Sequence, residues 1–462
     1  MKITLIKPFL RSRFNEPYLH EFDRPRQPLD LAILASLLLE KGHHVKIIDA
    51  FVSRIKPENI KYHIEHSDLF VVATAGFDRW QCPNLDYSDA IETIDEIKKA
   101  YPDSKIAVIG PHGTVRPREL LSYDNVDFVI RGEPEITFME LVESIKNPEK
   151  VKTGLCYKNG KELAINSMGI FAEDLDKLPI PAYNLLEMDK YEHPMLKNKN
   201  FSIVITSRNC PFGCKFCFRE MYGKGYRTRS PKLVVEELKL LQDKFDVKSI
   251  YFQDLEFCLE KKRISEICSL IVENRIKIEW GCTTRVTSVD EEMLRKMKDA
   301  GCKFIAYGLE TADEEVLNNL NKGITLEKVR DAIKITKDIG IKTVLTYMVG
   351  LPKDSDKAQE KSFETCKEIE PDVIGDGVVC IPYPDTPIYK KGRELGIIKD
   401  DSWNSVYDGI GIIDNKFTKT QVDSIWRKHR MEARIWRYKK EYGNSFFLNP
   451  RFLFRAIKAL SR

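Results

Sequence analysis

The sequence of 462 residues lacks any apolar run long enough to cross a bilayer, so it contains no sign of a membrane-spanning helix. It also lacks a strong charge imbalance: the net charge of +4 argues weakly against a general nucleic-acid-binding protein. The first residues, Met1–Ile6, have the pattern of a strand rather than that of a signal peptide. Length and composition together predict a soluble protein of two or three domains.

Most of the cysteines lack close partners. Because they are scattered singly, several of them within apolar runs, we expect them to be small buried side chains in a reducing, cytoplasmic compartment. A zinc site usually needs four Cys or His ligands, and no second close cysteine pair exists to complete one. The scattered cysteines are Cys82, Cys156, Cys258, Cys268, Cys282, Cys302, Cys366 and Cys380.

The other three cysteines lie within one octapeptide, Cys-Pro-Phe-Gly-Cys-Lys-Phe-Cys. Cys210, Cys214 and Cys217 have the spacing C-x3-C-x2-C, and Phe216 directly precedes the last of them. Three thiolates can bind three irons of a cubic 4Fe-4S cluster, which leaves the fourth iron open to a small molecule. Three unrelated buried cysteines and a zinc site are the alternative interpretations of the same residues.

Residues 1–148 alternate short β-branched runs with helical segments, a pattern typical of a doubly wound parallel sheet. Such sheets bind ligands outside the carboxyl ends of their strands, where this sequence has Gly, Pro and polar residues in segments 8–28, 75–81, 110–114 and 132–135. The predicted strands are Lys2–Pro8, His44–Ala50, Leu69–Thr74, Lys105–Gly110 and Val126–Arg131, and the predicted helices are Leu31–Glu40, Ile91–Ala100 and Glu140–Ile145.

Residues 149–197 have the composition of a connector between two larger units. A short hairpin is predicted over Leu155–Leu163, with Asn159-Gly160 as its turn. The proline-rich run Leu178–Ala182 predicts a stiff extended crossing toward the next unit.

Residues 198–395 show a second alternation of strands and amphipathic helices, which predicts a partial (βα)6 barrel. In such a barrel the chemistry lies at the carboxyl ends of the strands, and the cysteine octapeptide directly follows the first strand. The predicted strands are Phe201–Thr206, Ser249–Gln253, Ile278–Thr283, Phe304–Leu309, Thr343–Gly350 and Ile374–Pro382, and the predicted helices are Pro231–Lys244, Lys261–Asn274, Asp290–Ala300, Thr325–Ile339 and Ser355–Glu370.

Residues 396–462 form a C-terminal extension of different character, predicted to be helical. Its part 427–462 has eleven Lys or Arg against two Glu, interleaved with aromatic residues. A helix that packs an aromatic stripe on the barrel is the favoured interpretation. A helix that contacts a membrane surface or a lipid substrate, for which 449–460 is the best segment, and a nucleic-acid-binding surface remain as alternatives.

The octapeptide resembles the signature of the radical S-adenosylmethionine (SAM) enzymes, and the resemblance extends over most of residues 198–395. Five further segments resemble that core in the expected order. One departure is that the family usually has two adjacent acidic residues in the first of these segments, whereas here Asp254 is followed by Leu255. The segments are Phe252–Phe257, Trp280–Arg285, Ala300–Thr311, Tyr347–Pro352 and Pro382–Pro387.

Residues 1–148 resemble the cobalamin-binding domain that precedes this core in the cobalamin-dependent class. The family usually has Gly at the position of Asp30, and no Asp-x-His-x-x-Gly segment points to a histidine on the cobalt. A degenerate Rossmann-like domain that only supports the barrel is the alternative. The resemblance is carried by Pro28–Ala35, Gly42–Asp49, Gly110–Thr114 and Val126–Glu135.

The resemblance implies that the three octapeptide cysteines hold the cluster, beside Phe216, and that the open iron binds SAM. An electron from a flavodoxin- or ferredoxin-type donor would then cleave SAM to the 5′-deoxyadenosyl radical. Glu310 is implied as a polar SAM contact, Arg285 as a partner of the SAM carboxylate and Gly350 as the point where the backbone approaches adenine. A rim salt bridge, a structural ion pair and a turn glycine are the respective alternatives.

Further residues are implied in cofactor or substrate binding. Asp254 would line the substrate side of the barrel. His112 would contact the cobalamin edge, although a solvated loop histidine is the simpler interpretation. The full set implied around cobalamin is Pro28, Gly76, Gly110, His112, Thr114, Gly132 and Glu133.

The implied reaction is methylation of an unactivated carbon or a phosphorus centre in a small molecule or lipid. The first alternative keeps cobalamin without methyl transfer, in a cyclisation, ring contraction or oxidation. The second is a radical SAM enzyme without cobalamin, for which sulfur insertion is disfavoured because the scattered cysteines offer no second cluster site. A non-catalytic iron–sulfur module is the least favoured.

Overall fold

A computed structural model describes residues 1–9, 25–196 and 200–443, which form two α/β units followed by a C-terminal helix. Most of the predicted 8–28 segment and all of 449–460 lie outside the described residues. Among the helices of the described ranges, none is both long and apolar enough to cross a membrane.

The first unit contains a seven-stranded sheet of order β2-β1-β3-β4-β5-β6-β7. Its first five strands are parallel, as the sequence predicts, and β6 and β7 continue the sheet as an antiparallel hairpin. The hairpin expected within the connector therefore extends the first sheet. The strands are β1 (Lys2–Lys7), β2 (His44–Asp49), β3 (Leu69–Ala73), β4 (Lys105–Ile109), β5 (Phe128–Ile130), β6 (Leu155–Asn159) and β7 (Glu162–Ile165).

The helices of the first unit differ from the predictions in two places. The predicted helix Glu140–Ile145 was placed too late, because the helix begins at Glu135 directly after Pro134 and buries Phe138 and Leu141. Two five-residue helices that each begin with proline were not predicted, since they are too short to show a helical period. The helices are α1 (Leu29–Glu40), α2 (Ser88–Ala100), α3 (Pro111–Val115), α4 (Pro117–Leu121) and α5 (Glu135–Glu143).

The second unit is the predicted partial barrel of parallel strands, with the order β15-β14-β13-β12-β11-β8 and β16 also pairing with β14. The prediction of one long final strand is wrong. Gly377 has a φ of +75°, which interrupts the strand between its two halves. The strands are β8 (Phe201–Val204), β11 (Ser249–Phe252), β12 (Glu279–Thr283), β13 (Cys302–Glu310), β14 (Lys342–Val349), β15 (Val373–Ile374) and β16 (Val378–Val379). A separate small sheet pairs β9 (Ser207–Arg208) with β10 (Arg227–Thr228).

The barrel helices begin where the sequence has capping side chains. Asp290, Thr325 and Ser355 each accept a hydrogen bond from the backbone N–H three residues later, which satisfies an otherwise unpaired donor. The short helix α9 was not predicted. The helices are α6 (Pro231–Phe245), α7 (Lys261–Glu273), α8 (Glu291–Asp299), α9 (Glu314–Asn319), α10 (Leu326–Asp338), α11 (Asp356–Ile369) and α12 (Pro387–Glu394).

The C-terminal helix α13 (Lys419–Tyr442) packs on the barrel, in agreement with the favoured interpretation of the basic extension. Trp426 is buried and donates from Nε1 to the Gly377 carbonyl at 3.3 Å. The buried His429 ring stacks on Phe363 with a centroid distance of 4.6 Å. The buried Asp376 carboxylate, which follows β15, lies within ion-pair distance of three arginines of this helix: Arg430, Arg434 and Arg437.

The two units are joined along the first barrel strand by Gln27, which the sequence analysis did not select. Its side-chain Nε2 donates to the Phe201 carbonyl at 2.7 Å, and its Oε1 accepts from the Ile203 N–H at 3.1 Å. The amide thus pairs with backbone groups of β8, a strand at one end of the barrel's strand order. Since β8 leads into the cysteine octapeptide, this contact helps to orient the loop against the first sheet.

Candidate cluster and cofactor site

The three octapeptide cysteines lie on a loop, residues 209–226, that is closed at its base by the β9–β10 pair. Arg208, directly before the loop, is paired in register with Arg227, directly after it. Antiparallel pairing at the base holds the two ends of the loop together. The loop follows β8 at the carboxyl end of the barrel strands, where the sequence analysis placed it.

Local hydrogen bonds shape the backbone around the cysteines. Asn209 has a φ of +68°, and its Oδ1 accepts from the Cys210 N–H at 2.7 Å. The Cys217 N–H donates to the Cys214 carbonyl at 3.2 Å. Arg219 donates to the Cys210 carbonyl at 2.6 Å. These bonds form without the thiols, which therefore stay available as ligands.

The loop also depends on the segment that follows α9. The Lys215 N–H donates to the Leu320 carbonyl at 3.0 Å, and Asn321 Nδ2 donates to the Gly213 carbonyl at 3.1 Å. A Cβ at Gly213 would lie 2.7 Å from Asn321 Nδ2. The glycine between the first two cysteines is therefore needed for this close approach.

The exposure of the cysteines separates the octapeptide from the rest. Cys210, Cys214 and Cys217 are partly exposed, whereas the scattered cysteines are buried, with Cys82 the exception. The prediction of small buried side chains is thus confirmed for seven of those eight. Partial exposure at the barrel mouth leaves the three thiols accessible to iron.

The charges at the loop fit a cluster. Burial raises the pKa of Cys217 to about 12, and negative charge on the other two thiols adds to the effect. Burial also raises the pKa of Cys210. Bound iron compensates this cost because coordinated thiols are deprotonated. A structural zinc site usually needs four Cys or His ligands, whereas three thiolates suffice for a cubic cluster with one open iron, so the three thiols fit a cluster better than zinc.

Arg285 contacts the cysteine loop directly. One guanidinium N–H lies 3.6 Å from the Cys214 sulfur, and the guanidinium carbon is 3.9 Å from the centroid of the Phe212 ring. A second N–H donates to the Lys322 carbonyl. The buried Nε has no hydrogen-bond partner among the described residues, so one donor remains for a ligand beside the cluster.

Glu310 ends β13 with a φ of +66° and accepts a hydrogen bond from Lys322 Nζ at 2.6 Å. Both side chains are almost fully buried, and Lys322 Nζ also lies 5.8 Å from the centroid of the Phe216 ring. A Cβ at Gly308 would overlap the Glu310 carboxylate, which explains the glycine two residues before it. The salt bridge at the barrel rim, which is the alternative interpretation of Glu310, is thus present. A contact between Glu310 and SAM remains a prediction.

Two acidic residues after β11 organise the base of the site. Asp254 accepts from the backbone N–H groups of Thr206 at 2.7 Å and Ser207 at 3.2 Å, so it holds the approach to the loop. Glu256, which the sequence analysis missed, accepts from the Arg285 N–H at 2.9 Å and from the Thr284 hydroxyl. Burial raises the pKa of both carboxyl groups, although their hydrogen bonds favour the charged forms.

Gly350 has a φ of +74°, and another segment of backbone packs directly against it. Glycine allows both features because it has no Cβ. The approaching atoms belong to Gly411, because a Cβ at Gly350 would lie 2.5 Å from the Gly411 carbonyl oxygen. The C-terminal extension therefore occupies this side of Gly350, and an adenine contact by its backbone remains a prediction.

Three residues implied around cobalamin are joined by hydrogen bonds at the carboxyl edge of the first sheet. Thr114 Oγ1 donates to the Gly110 carbonyl at 2.9 Å and accepts from the Gly132 N–H at 3.0 Å. Gly110 has a φ of +112° and lies against the Thr74 hydroxyl and the Ala75 backbone. The turns after β3, β4 and β5 are thereby held as one surface.

His112 is fully buried, so the expectation of a solvated loop histidine is wrong. Its Nε2 lies 2.7 Å from the Asn84 carbonyl, and its ring centroid is 4.4 Å from that of Trp403 and 4.8 Å from that of Tyr87. Burial lowers its pKa to about 4, so the ring is neutral at physiological pH. Trp403 lies 291 residues further along the chain, which is why local sequence did not indicate this enclosure.

Glu133 connects the two units through ion pairs that the sequence analysis missed. It lies 2.8 Å from Arg208 and 2.6 Å from Arg227, while Glu135 lies 2.6 Å from Arg208. All four side chains are almost fully buried. We call these four residues the interdomain clasp. It binds both ends of the cysteine loop to the carboxyl edge of the first sheet.

Polar atoms without partners remain at that edge. The two carboxylate oxygens of Asp30, Nδ1 of His112 and Nδ2 of Asn84 are buried and, apart from the Leu31 N–H beside Asp30, have no hydrogen-bond partner in the described part of the chain. Buried polar atoms normally have partners, so their presence fits a ligand with many hydrogen-bonding groups. Pro28 and Gly76 flank the same edge, at the start of α1 and after β3. This donor and acceptor set fits cobalamin, whose corrin ring carries amide side chains.

Comparisons with known proteins match the two units to two protein families. The family model for the radical SAM superfamily matches residues 204–366, and that for the B12 binding domain matches residues 18–142. An uncharacterized methyltransferase of Pyrococcus horikoshii is 30% identical over 441 residues, which cover 93% of this chain and 90% of the relative. The anaerobic magnesium-protoporphyrin IX monomethyl ester cyclase of Rubrivivax gelatinosus is 30% identical over 392 residues, covering 82% and 69% of the two chains.

The fold is also similar to that of a solved structure. The radical SAM methyltransferase TsrM from Kitasatospora setae, with cobalamin and a [4Fe-4S] cluster bound, matches with a TM-score of 0.69 at 17% sequence identity. The match covers 86% of this chain and 75% of TsrM. It supports the arrangement of a Rossmann-like unit before a partial barrel.

Proposed function

Because the chain belongs to the cobalamin-dependent radical SAM enzymes, we propose that it methylates an unactivated carbon or a phosphorus centre of a small molecule or lipid. The cofactors are a 4Fe-4S cluster, SAM and cobalamin. The observation that carries the proposal is the interdomain clasp, which supports a common site because it joins the cluster loop to the cobalamin-binding edge.

When bound, the cluster supplies the electron that cleaves SAM, and cobalamin carries the methyl group. Cys210, Cys214 and Cys217 hold the cluster, and Asn209 and Arg219 keep the loop backbone in place through hydrogen bonds. Arg285 offers its unpartnered Nε to the carboxylate of SAM, and its position is fixed by the Phe212 ring.

Water is kept from the site by residues that pack around it. The rings of Phe77, Trp80 and Tyr222 form a buried aromatic group whose centroids lie 4.5 to 5.9 Å apart. Tyr222 belongs to the cysteine loop, whereas the other two follow β3, so the group seals the boundary between the units. Exclusion of water protects a reactive radical from side reactions.

The test is an anaerobic assay with reconstituted cluster, cobalamin, reductant and methyl-labelled SAM. The proposal predicts label in the cobalamin fraction, S-adenosylhomocysteine and 5′-deoxyadenosine. A Cys214→Ala variant should lose 5′-deoxyadenosine formation. A Cys268→Ala variant, which changes a buried cysteine of α7, should retain it. Absence of label in cobalamin, with the cluster intact, would contradict methyl transfer.

A second candidate is a cobalamin-dependent cyclisation without methyl transfer. The 30% identity to the Rubrivivax gelatinosus cyclase favours it. The same assay separates the two functions, because a cyclase would form 5′-deoxyadenosine without transferring label to cobalamin or to product.

We also propose a flavodoxin- or ferredoxin-type electron donor, a cytoplasmic location with peripheral membrane contact, and a lipid or anionic substrate. The single free cysteines support a reducing compartment, and the basic, aromatic residues after 443 support contact with anionic lipid. Sedimentation of the full chain with vesicles that contain phosphatidylglycerol tests this contact. Absence of the protein from the vesicle pellet would argue against membrane contact, and equal recovery with neutral vesicles would argue against a preference for anionic lipid.

A further inference from the structure

Asp30 is the clearest unexplained polar group in the first unit. It lies in the first turn of α1, its side chain is fully buried, and in the described ranges neither carboxylate oxygen has a hydrogen-bond partner beyond the backbone N–H of the adjacent Leu31. Taking a carboxyl group out of water without a partner is costly, so such groups are normally satisfied by protein, water or ligand.

The surroundings of Asp30 favour its neutral form. Burial raises its pKa to about 7; the charges of Asp78 and Glu135 act in the same direction, and Lys7 and the Leu31 amide oppose them. Lys7 is engaged elsewhere, because its Nζ donates to the Arg26 carbonyl at 2.6 Å and lies 3.7 Å from Asp49. A protonated carboxyl group offers an O–H donor and a carbonyl acceptor side by side.

The position of Asp30 in the sheet topology points to the ligand crevice. In the strand order β2-β1-β3, the connection after β1 leads to β2 on one side, and the next connection leads to β3 on the other side of β1. Doubly wound sheets bind ligands at the point between β1 and β3 where the direction of the connections changes. Asp30 starts the helix that follows β1, and Gly76 follows β3. A Cβ at Gly76 would lie 3.0 Å from Asp78 Oδ1 and 3.6 Å from Lys7 Cε, so these groups lie close together at the carboxyl edge of the sheet.

The residues around Asp30 favour one chemical class of ligand group. An anion is disfavoured by Asp78 and Glu135. A metal ion is disfavoured because no three potential ligands converge in the part of the chain that the structure describes. A primary amide matches a neutral carboxyl group with two complementary hydrogen bonds, and the corrin ring of cobalamin carries several such amides.

We propose that the buried carboxyl group of Asp30, at the start of α1, binds a corrin amide of cobalamin through two complementary hydrogen bonds. The inference rests on the proposed function, since it requires that cobalamin is bound. Ionisation of Asp30 removes the donor, so cobalamin affinity should fall as the pH rises above neutrality. The groups facing Asp30 that also carry charge are Lys7 on β1, Asp78 after β3 and Glu135 on α5.

The experiment measures the Kd of methylcobalamin, whose methyl ligand does not titrate, for the full chain between pH 6 and 8.5, by absorbance titration in the dark under anaerobic conditions. For the natural sequence we expect affinity to fall about tenfold across this range. Asp30→Asn keeps a donor and an acceptor but cannot ionise, so its affinity should be independent of pH. Asp30→Ala should bind about tenfold more weakly at pH 6.5.

A matched control is Asp127→Asn, which changes a carboxylate at the opposite, amino-terminal edge of the same sheet. Asp127 is paired with Lys105 and with the Ile106 N–H, and the variant should follow the pH curve of the natural sequence. If Asp30→Asn kept that same pH dependence, or Asp30→Ala bound equally tightly, the inference would be overturned. If the natural sequence bound no cobalamin at any pH, the proposed function would fail with it.

Discussion

Replacement of Glu133 by glutamine tests whether the interdomain clasp organises the cysteine loop. The change keeps the side-chain volume but removes the charge that two buried arginines share, Arg208 at 2.8 Å and Arg227 at 2.6 Å. Breaking a buried ion pair by removing one partner typically costs about 3 to 5 kcal/mol. Arg208 keeps Glu135, and Arg227 keeps the carbonyls of Ala172 and Tyr222, so we expect about 3 kcal/mol.

Two measurements check this prediction. Thermal denaturation of the cluster-free protein should show a lower midpoint, and iron and sulfide content after reconstitution should fall, because both ends of the loop lose their anchor. Glu65→Gln, which removes an exposed pair with Lys2, is the control and should change neither quantity. Unchanged stability together with full cluster content in Glu133→Gln would refute the role of the clasp.

Three further predictions concern other parts of the molecule. The pKa of Asp30 is raised to about 7, so the unfolding free energy of the cobalamin-free protein should decrease by about 4 kcal/mol at most between pH 4 and pH 7. Asp30→Asn should remove this decrease. Denaturation curves recorded at several pH values measure the effect. Asp376→Asn should loosen α13, seen as faster limited proteolysis within that helix, whereas Asp290→Asn should not. Gly308→Ala should displace Glu310 from Lys322 and lower SAM affinity measured by calorimetry, and an unchanged affinity would contradict this role of the glycine.

The strands and long helices of both units were predictable because their signals are local. Alternating apolar runs locate β1 and β11 to within a residue or two, and capping residues such as Thr325 locate helix starts. Helices α3 and α9 were missed because they are too short for a hydrophobic period to appear. The split between β15 and β16 depends on the positive φ of Gly377, which an apolar run does not reveal.

The candidate site was predictable only where one short segment carries it. The spacing of Cys210, Cys214 and Cys217 predicts the cluster ligands from the sequence alone, and the structure places the three cysteines on one loop after β8. Contacts between distant residues were not accessible in this way: Arg208 meets Glu133 across 75 residues, and Arg285 meets Cys214 across 71. Lys322 was missed as well, because no local pattern shows that it pairs with Glu310.

The central claim is that one chain brings a cluster and cobalamin to a common site for methyl transfer. The most direct test is the anaerobic assay with methyl-labelled SAM, run with and without cobalamin and analysed by mass spectrometry. We expect label in the cobalamin fraction together with S-adenosylhomocysteine, and 5′-deoxyadenosine that depends on Cys214. Formation of 5′-deoxyadenosine in equal amounts without cobalamin, and no label in the cobalamin fraction when it is supplied, would contradict it.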